Sequence, residues 1–194
     1  MTRLLTLSAA ALALTLTACS SSSPVLGEAS GVPGSAPYVV SDCAKAVAGA
    51  EANAAPGSGV TNGPVTVVLD GEAAPVVAIA ADAPPASELV TQDLQTGRGP
   101  VVATGDTVTV QYCGIGLTTR KLFDSSWTRG QPAQFSLDGV IPGFQQGLQG
   151  MQAGGARLLV IPGELAYGAN PPPGIEPNET LVFIVKVESI DAAP

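Results

Sequence analysis

The sequence predicts an α+β fold: an antiparallel, twisted β-sheet wrapped around one short α-helix, preceded by a signal peptide and a flexible tether. Three observations predict it. Two runs near the C-terminal end, Thr107 to Cys113 and Thr180 to Ile190, alternate apolar and polar residues with the two-residue period of half-buried strands. Between them one stretch carries helical spacing, with Phe144, Leu148 and Met151 at i, i+4 and i+7. The chain itself opens on an apolar leader that passes into Ser, Gly, Pro and Ala, a composition too poor in large apolar groups to offset the entropy of ordering.

Residues 1–18 read as a secretion signal: a positive start at Arg3, an apolar run from Leu4 to Leu16, and small residues ending at Ala18. The run is short of the roughly 20 residues a membrane span needs. The tetrad Leu16-Thr17-Ala18-Cys19 resembles the bacterial lipobox, which implies that Cys19 is acylated and anchors the chain to a membrane. The alternative is an ordinary signal peptide with a stray cysteine beside it. Residues 19–59 are expected to form a flexible tether, with a short strand at Tyr38-Val39-Val40 and a weak helix from Cys43 to Ala55.

Residues 60–87 form a β-rich extension. Pro64 to Leu69 and Pro75 to Ala80 flank Asp70-Gly71, a dipeptide that favours tight turns, so the two runs make a hairpin or add to a sheet edge. Pro84-Pro85 then breaks the chain, and residues 88–194 make the folded domain. There Val108, Val110 and Tyr112 share one strand face, and Leu181, Phe183, Val185 and Val187 share another, with Lys186 and Glu188 facing out. Pro142 suits a first helical position, Gly150 a helix stop, and Ala156 to Ile161 a further strand.

Composition removes several function classes. The formal charge is −8, with 16 acidic against 8 basic residues and no basic stripe, which argues against a nucleic-acid partner. No histidine is present, so Ser-His-Asp hydrolysis, Cys-His proteolysis and His-containing zinc sites are excluded; neither a cofactor nor a metal is expected. With Cys19 used by lipid, Cys43 and Cys113 remain in a compartment that permits disulfides. They pair, or stay as free thiols, or link two molecules; sequence does not test the Cα separation of under about 7 Å that pairing needs.

Five segments in order carry a family resemblance: Gly105-Asp106-Thr107-Val108 with Val110-Gln111-Tyr112-Cys113-Gly114, Phe123-Asp124-Ser125-Ser126, Val140-Ile141-Pro142-Gly143-Phe144, Ala166-Tyr167-Gly168, and Thr180-Leu181-Val182-Phe183. Across residues 88–191 the chain resembles the FKBP family, the macrolide-binding class of peptidyl-prolyl isomerases. The resemblance implies an FKBP-like fold and an apolar pocket for a proline ring. Catalytic roles fall on Asp124, Tyr112, Phe123 and Tyr167, and substrate binding on Arg129, Val140, Ile141, Phe144, Ile175 and Phe183. It further implies that Arg129 pairs with Asp124, and that the Ile141 N–H and the Tyr167 hydroxyl hold substrate carbonyls. Phe144 stands where many members carry Trp, and Ala133 where an aromatic side chain often covers the site, which implies a narrower floor and a more open rim.

The activity so implied, cis/trans isomerisation of X-Pro bonds, breaks no covalent bond, so a chain without histidine, metal or nucleophile is equipped for it. The expected partners are proline-containing exported polypeptides, met by a monomer held in the cell envelope by lipid on Cys19. A non-catalytic module that binds proline segments or acts as a chaperone through the same pocket is the alternative.

Overall fold

Among the described residues strands dominate, and they form two antiparallel sheets. The computed structural model describes residues 38–44, 50–52 and 59–193; the signal segment, Cys19 and most of the expected tether lie outside them. The first sheet holds β1 (Tyr38–Asp42), β2 (Ala50–Ala52), β3 (Val60–Asn62), β4 (Val65–Val68) and β5 (Val76–Ala80), in the order β2-β1-β5-β4-β3. The second holds β6 (Val90–Gln95), β7 (Thr107–Gly116), β8 (Leu122–Ser125), β9 (Ala133–Ser136), β10 (Ala156–Ile161) and β11 (Leu181–Asp191). Its order is β6-β10-β11-β7-β8, and β9 pairs with the first half of β7. Among the described residues two short helices, α1 (Ser126–Arg129) and α2 (Pro142–Leu148), and two single 3-10 turns accompany the sheets.

The two-residue period of β7, β10 and β11 sends side chains to two different cores. On one face Val108, Val110, Tyr112, Leu159, Ile161, Phe183 and Val185 pack with Phe144 and Leu148 of α2 and with Met151. On the other, Cys113, Ile115, Leu158, Val160, Val182 and Ile184 pack with Val65, Val67, Val77 and Ile79 of the first sheet. Each such aliphatic side chain contributes about 1.5–3 kcal/mol on full burial, so the first sheet is integral to the fold. Polar ties add to it: Arg120 donates from Nη2 to the carbonyls of Ala80 (2.7 Å) and Ala81 (2.6 Å), and Lys186 pairs with Glu72 at 2.5 Å. Lys186 therefore faces the other sheet rather than open water, its side chain only 15% exposed.

The Asp70-Gly71 hairpin forms between β4 and β5, with Gly71 at φ 56° and the Ala73 N–H on the Asp70 carbonyl at 2.9 Å. The weak helix expected from Cys43 to Ala55 is corrected at residues 43–44 and 50–52, and the rest of that span lies outside the described residues. Asp42 Oδ1 accepts the Ala44 N–H at 2.9 Å, Cys43 and Ala44 form a turn, and Ala50–Ala52 pairs as a strand with β1. Alanine's helix propensity is a fraction of a kcal/mol per residue, and ladder hydrogen bonds to β1 outweigh it.

Helix α2 lies close against β10 because the two positions nearest that strand, Gly143 and Gly147, carry no side chain. A Cβ on Gly143 would stand 2.2 Å from Ile161 Cγ2, and one on Gly147 2.7 Å from Leu159 Cδ2. Pro142 begins the helix, Gly150 follows its end at φ 76°, and Arg157 Nη1 caps the last turn on the carbonyls of Gly147 (2.7 Å) and Gln149 (3.2 Å). Short as it is, α2 is held at both ends.

Before β7, buried Asp106 joins three segments. Its carboxylate accepts the N–H groups of Ala103 (2.8 Å) and Ala193 (3.0 Å), while its carbonyl accepts that of Leu137 (2.9 Å). The two backbone donors hold its pKa below the ordinary 3.8. A depressed folded pKa means stability that is present above the unfolded value and is lost as pH falls through the folded one. Asp106→Asn is expected to lower Tm at pH 7, with the gap to the parent closing below about pH 4, in paired thermal melts across pH.

Candidate active site

The site grows from three backbone segments that the second sheet brings side by side. Strand β7 supplies Tyr112 from its inner face, and β8, paired with it at Gly114↔Asp124 and Cys113↔Ser125, supplies Phe123 and Asp124. The chain then passes through the single turn of α1 and continues along β7 as β9, in the same direction as β8. Ser125 caps this turn by accepting the Thr128 N–H at 3.4 Å, Thr128 Oγ1 donates to the Ser125 carbonyl at 2.7 Å, and Gly130 closes it at φ 71°. Ser126 Oγ accepts the Tyr112 N–H at 2.8 Å, which locks α1 onto β7.

That single turn brings Arg129 back over Tyr112. Its guanidinium carbon stands 5.4 Å from the ring centroid, its Nη1 donates to Asp124 Oδ1, and its Nη2 donates to the Tyr112 oxygen at 3.0 Å. The Tyr112 hydroxyl donates to Asp124 Oδ2. Both carboxylate oxygens are thus occupied, and Asp124 is fixed in direction as well as position. Burial, reinforced by the hydrogen bond to Asp124, pushes the Tyr112 phenol up to about 12, so it remains a donor at any physiological pH. The Arg129 guanidinium is raised as well, chiefly by its hydrogen bond to Tyr112.

Beside this network lies a cavity of about 240 Å³ lined by Tyr112, Phe123, Asp124, Phe135, Gly139, Val140, Ile141, Phe144, Tyr167 and Phe183. Its aromatic wall is built edge to face: Phe123 on Phe183 (5.6 Å between centroids), Phe144 on Phe183 (5.3 Å), Phe135 on Phe144 (6.0 Å) and Phe135 on Tyr112 (5.3 Å). These spacings fall in the favourable range for aromatic pairs. Tyr167 stands at the mouth, 40% exposed, with its phenol raised by partial burial and by the Asp124 charge. An apolar hollow with one held carboxylate and one free phenol suits a small apolar ring flanked by carbonyls.

Of the residues singled out from sequence, eight line this cavity: Tyr112, Phe123, Asp124, Val140, Ile141, Phe144, Tyr167 and Phe183. Arg129 acts from behind, on Asp124 and Tyr112. Ile175 is not among the lining residues; it packs, half-buried, against the inner core. Phe135 was missed although it touches both Tyr112 and Phe144. Its signal was present in the alternation Ala133-Gln134-Phe135-Ser136, a short strand whose single aromatic faces in. Cys43 and Cys113 are bonded to each other, with Cα atoms 5.8 Å apart.

The family model for the FKBP-type peptidyl-prolyl cis-trans isomerase matches residues 99–188. The FK506-binding protein of Streptomyces anulatus is 44% identical over 110 residues, a match that covers 55% of this chain and 89% of that one. This chain belongs to the FKBP-type isomerase family. Its FKBP-type domain is 50% identical over 106 residues to the FKBP-type peptidyl-prolyl cis-trans isomerase FkpA of Escherichia coli (strain K12), covering 55% of this chain and 39% of that protein. The chain thus spans well under half of that relative's length. The crystal structure of FkpA from Escherichia coli superposes with a TM-score of 0.52 at 49% identity, over 55% of this chain and 49% of that one. A peptidyl-prolyl cis-trans isomerase structure from Pseudomonas syringae gives 0.50 at 35% identity, over 56% and 79%.

The FKBP-type pocket depends on one residue that lies beneath its wall. A Cβ placed on Gly114 would meet Phe123 Cζ at 2.5 Å, Phe123 Cε2 at 2.7 Å and Phe183 Cε1 at 2.9 Å. Gly114→Val is expected to push both rings into the cavity and raise KM for an X-Pro peptide several-fold while the fold, read by circular dichroism, persists.

Proposed function

We propose that this chain is a peptidyl-prolyl cis/trans isomerase that acts on proline-containing segments of exported polypeptides at the cell envelope. The observation that carries the reading is the apolar cavity of about 240 Å³ with Asp124 held at its rim by Tyr112 and Arg129. Amide resonance sets a rotation barrier of roughly 18–20 kcal/mol, and catalysis requires binding the twisted amide better than either planar form. The planar amide carries more charge on its oxygen and nitrogen than the twisted one. An aromatic hollow that excludes water removes the solvation that favours the planar forms, and the fixed carboxylate of Asp124 opposes the more negative planar oxygen.

In this reading the proline ring sits on Phe144 between Phe123 and Phe183. Val140 and Phe135 close the sides, and the Ile141 N–H and the Tyr167 hydroxyl donate hydrogen bonds to flanking carbonyls. Tyr112 and Arg129 orient Asp124. Acylation of Cys19 anchors the monomeric protein to the membrane; among the described residues no helix is long and apolar enough to cross one. Cys19→Ser is the test of that anchor, with transfer of the protein from the membrane to the soluble fraction as the expected result.

Nuclear magnetic resonance exchange spectroscopy on a short peptide with one X-Pro bond tests the activity. Exchange between the cis and trans resonances should accelerate at protein concentrations far below that of the peptide. Resonances that shift on saturation without faster exchange would overturn the isomerase and leave a proline-segment binding module.

A further inference from the structure

Cys43 directly follows β1 of the first sheet, outside the 99–188 stretch that matches the family, yet it reaches the neighbours of two site residues at once. Its sulfur is bonded to Cys113, the residue after Tyr112, and its carbonyl accepts the Ser125 hydroxyl at 2.7 Å, the residue after Asp124. Cys113 and Ser125 are themselves partners across β7 and β8. Cys43 is in turn held to the first sheet by its N–H on the Pro75 carbonyl at 3.1 Å. All three residues are buried, with Ser125 the most exposed at 2%.

The strand so gripped needs it. β8 is the last strand of its sheet, four residues long, and its pairing with β7 slips between Gly114 and Ile115, beside Asp124. A short edge strand with a broken ladder has little to define its twist. Ser125 also caps α1, whose Arg129 holds Asp124 and whose Trp127 packs half-buried into the core between the sheets. Ser125 and Trp127 therefore tie the carboxylate network to the first sheet, in addition to the hold that Tyr112 and Ser126 provide from β7.

We infer that Cys43 and Ser125 are positioning residues for the isomerase reaction: the first sheet, through the Cys43 carbonyl and the Cys43–Cys113 bond, sets the angle at which Asp124 faces the cavity. Neither residue touches substrate. Displacement of a reacting geometry by about 1 Å costs up to a hundredfold in rate, so a small rotation of β8 is enough to register in turnover. The inference rests on the isomerase reading.

The test is a double-mutant cycle on the full chain. Ser125→Ala should lower kcat on an X-Pro peptide about fivefold with KM nearly unchanged, and should have no further effect once Asp124→Ala is present. Replacing Cys43 and Cys113 together by Ser should behave alike, with loss in the parent background and none in the Asp124→Ala background. An equal loss in both backgrounds would assign these residues to general stability and overturn the inference, as would full turnover in Ser125→Ala. If the paired cysteine variant does not fold, the Ser125→Ala cycle decides alone. A parent protein without turnover would instead defeat the isomerase reading itself.

Discussion

Asp124→Ala is expected to lower kcat/KM on a short X-Pro peptide about tenfold, with most of the loss in kcat. Loss falls on kcat because the carboxylate acts on the rotating amide rather than on the ring that anchors the substrate. The size follows from exposure. The side chains of Asp124 and Arg129 are 39% and 42% exposed, so water screens their charge and the effect is far below that of a carboxylate in a dry cavity. Aromatic desolvation by Phe123, Phe144 and Phe183 remains in the variant and sustains the residual rate. A protease-free exchange assay at saturating and at low peptide separates kcat from KM; a rate equal to the parent's would remove Asp124 from the mechanism.

Replacing Cys43 and Cys113 together by Ala is expected to lower the unfolding free energy by about 4 kcal/mol. The two cysteines are 70 residues apart in sequence, and freeing a loop of that length restores roughly this much chain entropy to the unfolded state. Tm should fall by about 10 °C for a domain of this size. Chemical denaturation of the oxidised parent and the variant measures it, and coincident midpoints would show that the bond adds nothing the two sheets do not already supply.

Much of the FKBP-type domain was legible in the chain because its signals are local. Val108, Val110 and Tyr112 against Thr109 and Gln111 specify a face, and Phe144, Leu148 and Met151 specify a stripe. The pocket residues were legible for a different reason: Phe-Asp-Ser-Ser and Val-Ile-Pro-Gly-Phe are contiguous motifs, so each brings its neighbours with it. Phe135 lacked such company, as the lone aromatic of a short strand. Ile175 follows Gly174 in irregular chain, where no strand or helix period sets which way its side chain faces.

What stayed illegible depends on contacts between distant segments. Val182 and Ile184 fill the positions between Leu181, Phe183 and Val185, so the first half of β11 is apolar on both faces, although Lys186 and Glu188 further on suggest a half-buried strand. Nothing local says which segment covers the second face. The answer lies in Val65, Val67, Val77 and Ile79, a hairpin whose own pattern fits an independent ribbon as well as a cover. Ala50–Ala52 is the extreme case, since its strand exists through pairing with Tyr38–Val40 alone.

That shared wall bears on modularity. Transplanted by gene fusion without residues 38–83, the homologous stretch would carry Ile115, Leu158, Val160, Val182 and Ile184 naked into solvent and clump. Shuffling or grafting of this isomerase therefore has to move its upstream sheet as cargo, and any lineage that lost that sheet would have had to repaint the oily side with polar residues.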